Sequence, residues 1–248
     1  MTTGRPGRPV LLFRSASFRV MIGRKIEKEA CMSMEIPLLA VRDVSYSLAG
    51  KTLLAPVSFT LQQHEFVWLT GPSGSGKTTL LKIIASLLSP DSGSVALRGE
   101  EVGTLSPERW RQQVSYCFQT PQLFGATVYD NLAFPWQLRQ QQPEKRALQQ
   151  SLTQLDLAPE MLEQPIAGLS GGERQRVALL RHLQFPPAVL LLDEVTSALD
   201  TENKARVKQL IQQTMAQHAM SVLWISHDGQ ETGDGARVIA LTRMEATQ

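Results

Sequence analysis

The run Gly71-Pro72-Ser73-Gly74-Ser75-Gly76-Lys77-Thr78-Thr79 combines one ammonium, four hydroxyls and three glycines. Gly71, Gly76, Lys77 and Thr78 fit the spacing G-x-x-x-x-G-K-[ST] of a phosphate-binding loop. Such a loop turns successive backbone N–H groups onto an anion, and the helix that follows points its positive end at the phosphates. Lys77 would place a point charge on the β- and γ-phosphates. Thr78 would offer a hydroxyl to Mg²⁺, a cation that prefers hard oxygen ligands.

A second set of reactive groups lies in "AVLLLDEVTSALD", where Asp193 and Glu194 end a short apolar run. Asp193 suits a direct or outer-sphere partner of Mg²⁺, and Glu194 can orient or deprotonate an attacking water. A third is "MSVLWISHDGQE", which repeats the pattern and places His227 where it could touch the γ-phosphate or the water. The fourth is "LSGGERQRVALLRHL". Ser170 and Glu173 have capping-box spacing, but a cap does not explain Gly171 and Gly172, each of which costs roughly 0.5–1 kcal/mol in a helix. Two bare residues there make sense if something must come close to the helix start.

These groups need strands to carry them. From Pro37 to Thr70 short β-type runs alternate with turn signals at Ala49-Gly50 and Gln63-His64. The last of these runs feeds the loop, and Leu80, Leu81, Ile83, Ile84 and Leu87 then follow a helical pattern. Val189 to Leu192 and Val222 to Ile225 read as buried parallel strands, which puts Asp193, Glu194 and His227 at carboxyl edges, where α/β sheets hold ligands. Between Gln119 and Leu169 the chain is polar and helical, with breaks expected at Pro135, Pro143 and Pro159.

The bulk numbers bound the rest. A formal net charge of +2 without long like-charge runs argues against a nucleic-acid partner. Two cysteines, Cys31 and Cys117, form neither a metal-ligand spacing nor a disulfide framework, which suits a reducing, cytosolic setting. No segment reaches the roughly 18–20 apolar residues of a membrane span. The first 33 residues carry seven Lys or Arg against two Glu, and the composition changes at Met34. Arg14 and Arg19 interrupt any signal-like apolar core. A basic segment lying on a membrane surface is one reading of this leader. The favoured expectation is a disordered tail, or translation starting at Met32 or Met34.

Taken together, "GPSGSGKT", "LSGGE", "VLLLDE", "SALD" and "SHD" closely resemble, in order and separation, the nucleotide-binding domain of ATP-binding-cassette (ABC) transporters. The resemblance covers roughly residues 36–241. It implies an α/β P-loop NTPase core, a mixed sheet flanked by helices, with an antiparallel β subdomain and an inserted helical subdomain at about 120–170. It further implies ATP and Mg²⁺ as cofactors. The domain itself is expected to run from residue 34 to 248.

Carried over position by position, Tyr46 resembles the aromatic that stacks on adenine, and Gln119 the glutamine that senses Mg²⁺ and γ-phosphate. Asp200 matches an acid that contacts the opposite subunit, and His227 the switch histidine. Ser170, Gly171 and Gly172 would bind the γ-phosphate of ATP held by a second copy, so the implied working unit is a head-to-tail homodimer. The sequence departs from the pattern at Glu173, where Gln is commoner, at Ser226, where Thr is, and in "LLRHL", which lacks the usual alanine-rich run.

Locally, "VSYCFQTPQLFGATVYDNLAFPWQLR" resembles the ATP-binding subunits of iron exporters, the FetB type. These pair with a separate, FetA-like membrane permease, which sets the chain on the cytoplasmic face of the inner membrane. Phe134-Pro135-Trp136 would lie where such a permease docks, or else fill a small core. Other readings are the ATPase of an importer and a cassette switch acting on a soluble complex. If a metal is carried, its site belongs to the partner.

Overall fold

The computed structural model describes residues 36–226 and 236–242. His227 and the leader lie outside the described residues. The elements run β1 (Leu39–Leu48), β2 (Lys51–Leu61), β3 (Phe66–Thr70), α1 (Lys77–Ile84), β4 (Ser92–Leu97), β5 (Glu100–Glu101), α2 (Pro107–Gln113), β6 (Val114–Cys117), α3 (Val128–Gln137) and α4 (Lys145–Thr153). Two 3₁₀ turns follow at Pro159–Glu163 and Ile166–Gly168, then α5 (Gly171–Leu183), β7 (Val189–Asp193), α6 (Thr201–Gln217), β8 (Ser221–Ile225) and β9 (Arg237–Ala240).

The parallel and antiparallel strands sort into two sheets, ordered β2-β1-β4-β5 and β6-β7-β8-β3-β9. In the first, neighbours are antiparallel; in the second, every pair is parallel. Parallel strands are stable only when both faces are covered, and strand alternation divides the core accordingly. Val67, Leu69, Val189, Leu191, Leu223 and Ile225 face α1 and the antiparallel sheet. Trp68, Leu190, Leu192, Val222 and Trp224 face the side built by α3 to α6. On that side Trp68 and Trp224, direct partners in register, pack at a tilt of 39° with ring centroids 5.2 Å apart. Both indole N–H groups are buried without a partner.

Two expectations change. Leu87 is not on the loop's helix: α1 stops at Ile84, Ser86 takes a left-handed φ of 56°, and Leu87 turns outward, 38% exposed. Pro135 does not break its segment but sits inside α3. It falls in the last turn, so only one helical hydrogen bond is lost. The helix is anchored at its other end by the capping box of Thr127 and Asp130 and by buried Val128 and Leu132.

Candidate functional site

The loop of residues 71–76 joins β3 to α1, as its spacing predicts. A Cβ at Gly71 would lie 2.4 Å from the carbonyl oxygen of Leu241, and one at Gly76 the same distance from that of Leu53. Both have positive φ, 143° and 90°, so the backbone can follow this path only without side chains. Pro72, Ser73 and Gly74 are exposed at the rim, and Thr79 is half-buried on α1. The Lys77 ammonium donates to the carbonyls of Gly71 (2.8 Å) and Pro72 (3.1 Å), lying across the loop mouth. Burial draws its pKa below the ordinary lysine value, against the opposing pull of Glu194 and Asp193. Buried Ser75 Oγ has no hydrogen-bond partner, an orphaned donor in the position where a phosphate oxygen would satisfy it.

Asp193 ends β7 with 1% exposure. Thr78 Oγ1 on α1 donates to its Oδ1 at 3.1 Å, and the Tyr116 hydroxyl on β6 donates to its Oδ2 at 2.5 Å. A buried carboxylate beside a threonine hydroxyl is the hard-oxygen donor set that fits Mg²⁺, so these residues suit the cation the sequence implies. Glu194 follows in a left-handed conformation, φ 51°, uncommon for a residue with a side chain. Its Oε2 accepts from Gln119 Nε2 at 2.9 Å. The structure therefore brings Lys77, Thr78, Gln119, Asp193 and Glu194 to the carboxyl edge of the parallel sheet. Tyr46, half-buried on β1, pairs in register with Leu54, and β2 abuts Gly76 at that point.

Ser170, Gly171 and Gly172 open α5. The capping box is present: Ser170 N donates to Glu173 Oε2 at 2.7 Å, and Glu173 N to Ser170 Oγ at 3.3 Å. The bond from the Ser170 backbone holds the Glu173 carboxyl below its usual pKa. A Cβ at Gly171 would meet nothing within 4 Å, and one at Gly172 only Leu199 Cδ2 at 3.3 Å. Asp200 caps α6, accepting from the backbone N–H and side chain of Asn203 at 2.9 and 2.7 Å.

The sequence reading missed Tyr116, whose hydroxyl meets Asp193 across 77 positions. Burial first, and then the bond to Asp193, push its pKa up, so it stays a protonated donor. The reading also missed a clasp on the loop after Gln119. Asn131, fully buried, donates to the carbonyls of Phe124 and Thr127 and accepts from Phe124 N. Arg181, buried on α5, donates to Gln122 O at 2.8 Å and to Asn131 Oδ1 at 3.2 Å, and lies over the Phe124 ring. The atypical "LLRHL" thus keeps a cation that ties α5 to this loop, while His182 bonds Ser115 Oγ at 2.7 Å.

Beside the clasp runs a groove of about 520 Å³. Exposed Leu87, Phe118, Phe124, Phe134 and Leu138 line it. Trp136 does not line it but packs edge-on to Phe185, which does, with its N–H on Gln184. Of the two roles weighed for Phe134-Pro135-Trp136, Phe134 and Pro135 line a surface groove, and half-buried Trp136 supports it from behind Phe185 rather than filling one of the two cores.

A family profile described as "ABC transporter" matches residues 54–197. The chain is 50% identical over 210 residues to the "Probable iron export ATP-binding protein FetA" of Escherichia coli K12, covering 85% of this chain and 93% of that one. It is 38% identical to the "Putative ABC transporter ATP-binding protein YjkB" of Bacillus subtilis 168, covering 80% of each. It is 33% identical to the "Spermidine/putrescine import ATP-binding protein PotA" of Haemophilus influenzae Rd, over 79% of this chain and 52% of that one. In the first of these names FetA is the ATP-binding chain. The ATP-binding subunit expected as FetB type thus carries the letter A in that relative.

Proposed function

The chain belongs to the ABC transporter ATP-binding family, whose members hydrolyse ATP, and on that premise we propose that it powers a separate membrane permease for iron export. The observation that carries the ATPase chemistry is the meeting of Lys77, Thr78, Gln119, Asp193 and Glu194 at one sheet edge, with Asp193 buried between two hydroxyl donors. In this reading the phosphates lie on the loop of residues 71–76 and Tyr46 stacks on adenine. Thr78, Gln119 and Asp193 would hold Mg²⁺, which when bound would offset charge on the transferring phosphoryl group. Glu194, steadied by Gln119, takes the proton from the attacking water, and His227 contacts the γ-phosphate.

The second half-site is contributed by another copy. No group among the described residues fills the space at Gly171, which supports a close approach by the partner's γ-phosphate to Ser170, Gly171 and Gly172. The homodimer so formed brings Asp200 to the opposing subunit. The permease is read from the groove: five of the eight large hydrophobic side chains exposed among the described residues line it. Apolar surface concentrated this way supports docking of a protein partner. None of the helices among the described residues is long and apolar enough to cross a membrane. The chain works as a peripheral subunit on the cytoplasmic face. Residues 34–248 form the ATPase domain, with the helical subdomain at about 120–170 and the basic leader before it.

Iron and the outward direction are proposed from the 50% identical relative, whose name gives both. The test is transport in inside-out vesicles that contain the chain and its cognate permease. ATP-dependent iron uptake into their lumen is expected. Movement in the opposite sense, dependent on an external binding protein, would replace export with import.

A further inference from the structure

The Asp193 carboxylate has one hydroxyl on each oxygen, and the two come from different elements. Thr78 on α1 takes Oδ1; Tyr116 on β6 takes Oδ2. In the parallel register Tyr116 lies opposite Leu191, and Asp193, two residues on, shares the same face. The phenol therefore reaches the carboxylate from the neighbouring strand, along the face of the sheet that α1 covers. Tyr116 is only 6% exposed, and Phe118 packs edge-on against its ring at 4.6 Å. A hydroxyl donated to a carboxylate at this distance is among the stronger hydrogen bonds a protein makes.

We propose that Tyr116 is a positioning residue for the divalent-cation site, pinning Asp193 Oδ2 so that Oδ1 is turned toward Thr78 and the cation. The inference rests on the ATPase reading above and assigns a role to a residue outside its motifs. Groups that orient a metal-ligating carboxylate typically change affinity 10- to 100-fold when removed. The ring of Tyr116 also lines the groove, so one side chain separates that surface from Asp193.

The experiment uses the full chain carrying Glu194→Gln, which slows turnover, with ATP bound and Mn²⁺ as the probe, read by electron paramagnetic resonance. Adding Tyr116→Phe keeps the ring and its packing and removes only the hydroxyl. The half-saturating Mn²⁺ concentration should rise about tenfold. ATP affinity in EDTA and the melting temperature should not move. An unchanged Mn²⁺ titration would overturn the proposal. So would tighter binding, which would mean that the phenol competes with the cation. Loss of EDTA-resistant ATP binding together with a lower melting temperature would make Tyr116 a packing residue and overturn it too. If the Glu194→Gln parent itself bound no Mn²⁺ with ATP, the ATPase reading would fail first.

Discussion

Gly171→Asp separates what the start of α5 does for folding from what it does for a neighbour. A Cβ at position 171 meets nothing within 4 Å, and φ there is not in the left-handed region, so a side chain fits without strain. Replacing glycine in a helix recovers a few tenths of a kcal/mol, and an acid in the first turn gains about 0.3–1 kcal/mol against the helix dipole. The variant should therefore be as stable as the parent, or more stable by about 0.5–1 kcal/mol. Its effect on catalysis has the opposite sign. A carboxylate about 4 Å from a partner's γ-phosphate, at an effective dielectric near 20, adds on the order of 4 kcal/mol of repulsion. That corresponds to roughly a thousandfold loss of hydrolysis. Steady-state ATPase, urea unfolding and binding of a fluorescent ATP analogue to dilute monomer would be measured on one preparation. Hydrolysis should fall about a thousandfold while stability and monomer binding persist, because the proposed arrangement puts Lys77 on the other half-site. Retained hydrolysis would refute the approach of a phosphate to Gly171; parallel loss of stability and ATP binding would reduce the motif to a helix cap.

Glu194→Gln should bind ATP, hydrolyse it slowly and run as an ATP-dependent dimer on size exclusion; a monomer at saturating ATP would count against the two-copy arrangement. Lys77→Ala should lose nucleotide binding, and near-normal affinity in equilibrium dialysis would contradict the role given to its ammonium. Asp200→Ala removes the side-chain cap of α6 and should cost about 1 kcal/mol in urea unfolding; no change would mean that Asn203 finds another partner. Cys117 is buried, and burial pushes its thiol up to about 12, so peptide mapping should find it unalkylated at neutral pH until the chain is unfolded. Rapid native labelling would show that β6 opens readily.

The phosphate loop was legible because its signal is local: a strand, glycines at fixed offsets and a helix within about twenty residues. The same holds for the cap at Ser170 and Glu173. Asp193 and Glu194 could be placed at a strand end because an unbroken apolar run reports burial on both faces. What joins these pieces was not legible. Tyr116 meets Asp193 only through the β6–β7 register, and no spacing encodes which strands become neighbours. Counting by twos along two parallel strands would have found the pair once that adjacency was known. Arg181 was hidden in a segment noticed for what it lacked. Leu87 was assigned to a helix because periodicity does not see the turn at Ser86. Pro135 was given too much weight, since its cost depends on where in the helix it falls.

The adjoining indoles of Trp68 and Trp224 give the molecule an optical property. They are two of its four tryptophans, and each sits in an apolar layer with its N–H unsolvated. Indoles in such surroundings emit at short wavelength, and at 5.2 Å they share excitation. One of the two strands runs into the phosphate loop, the other toward Ser226. Any shear between them on loading or release would change colour and yield without an added label. The unmodified chain can thus be followed by stopped-flow emission in plain solution.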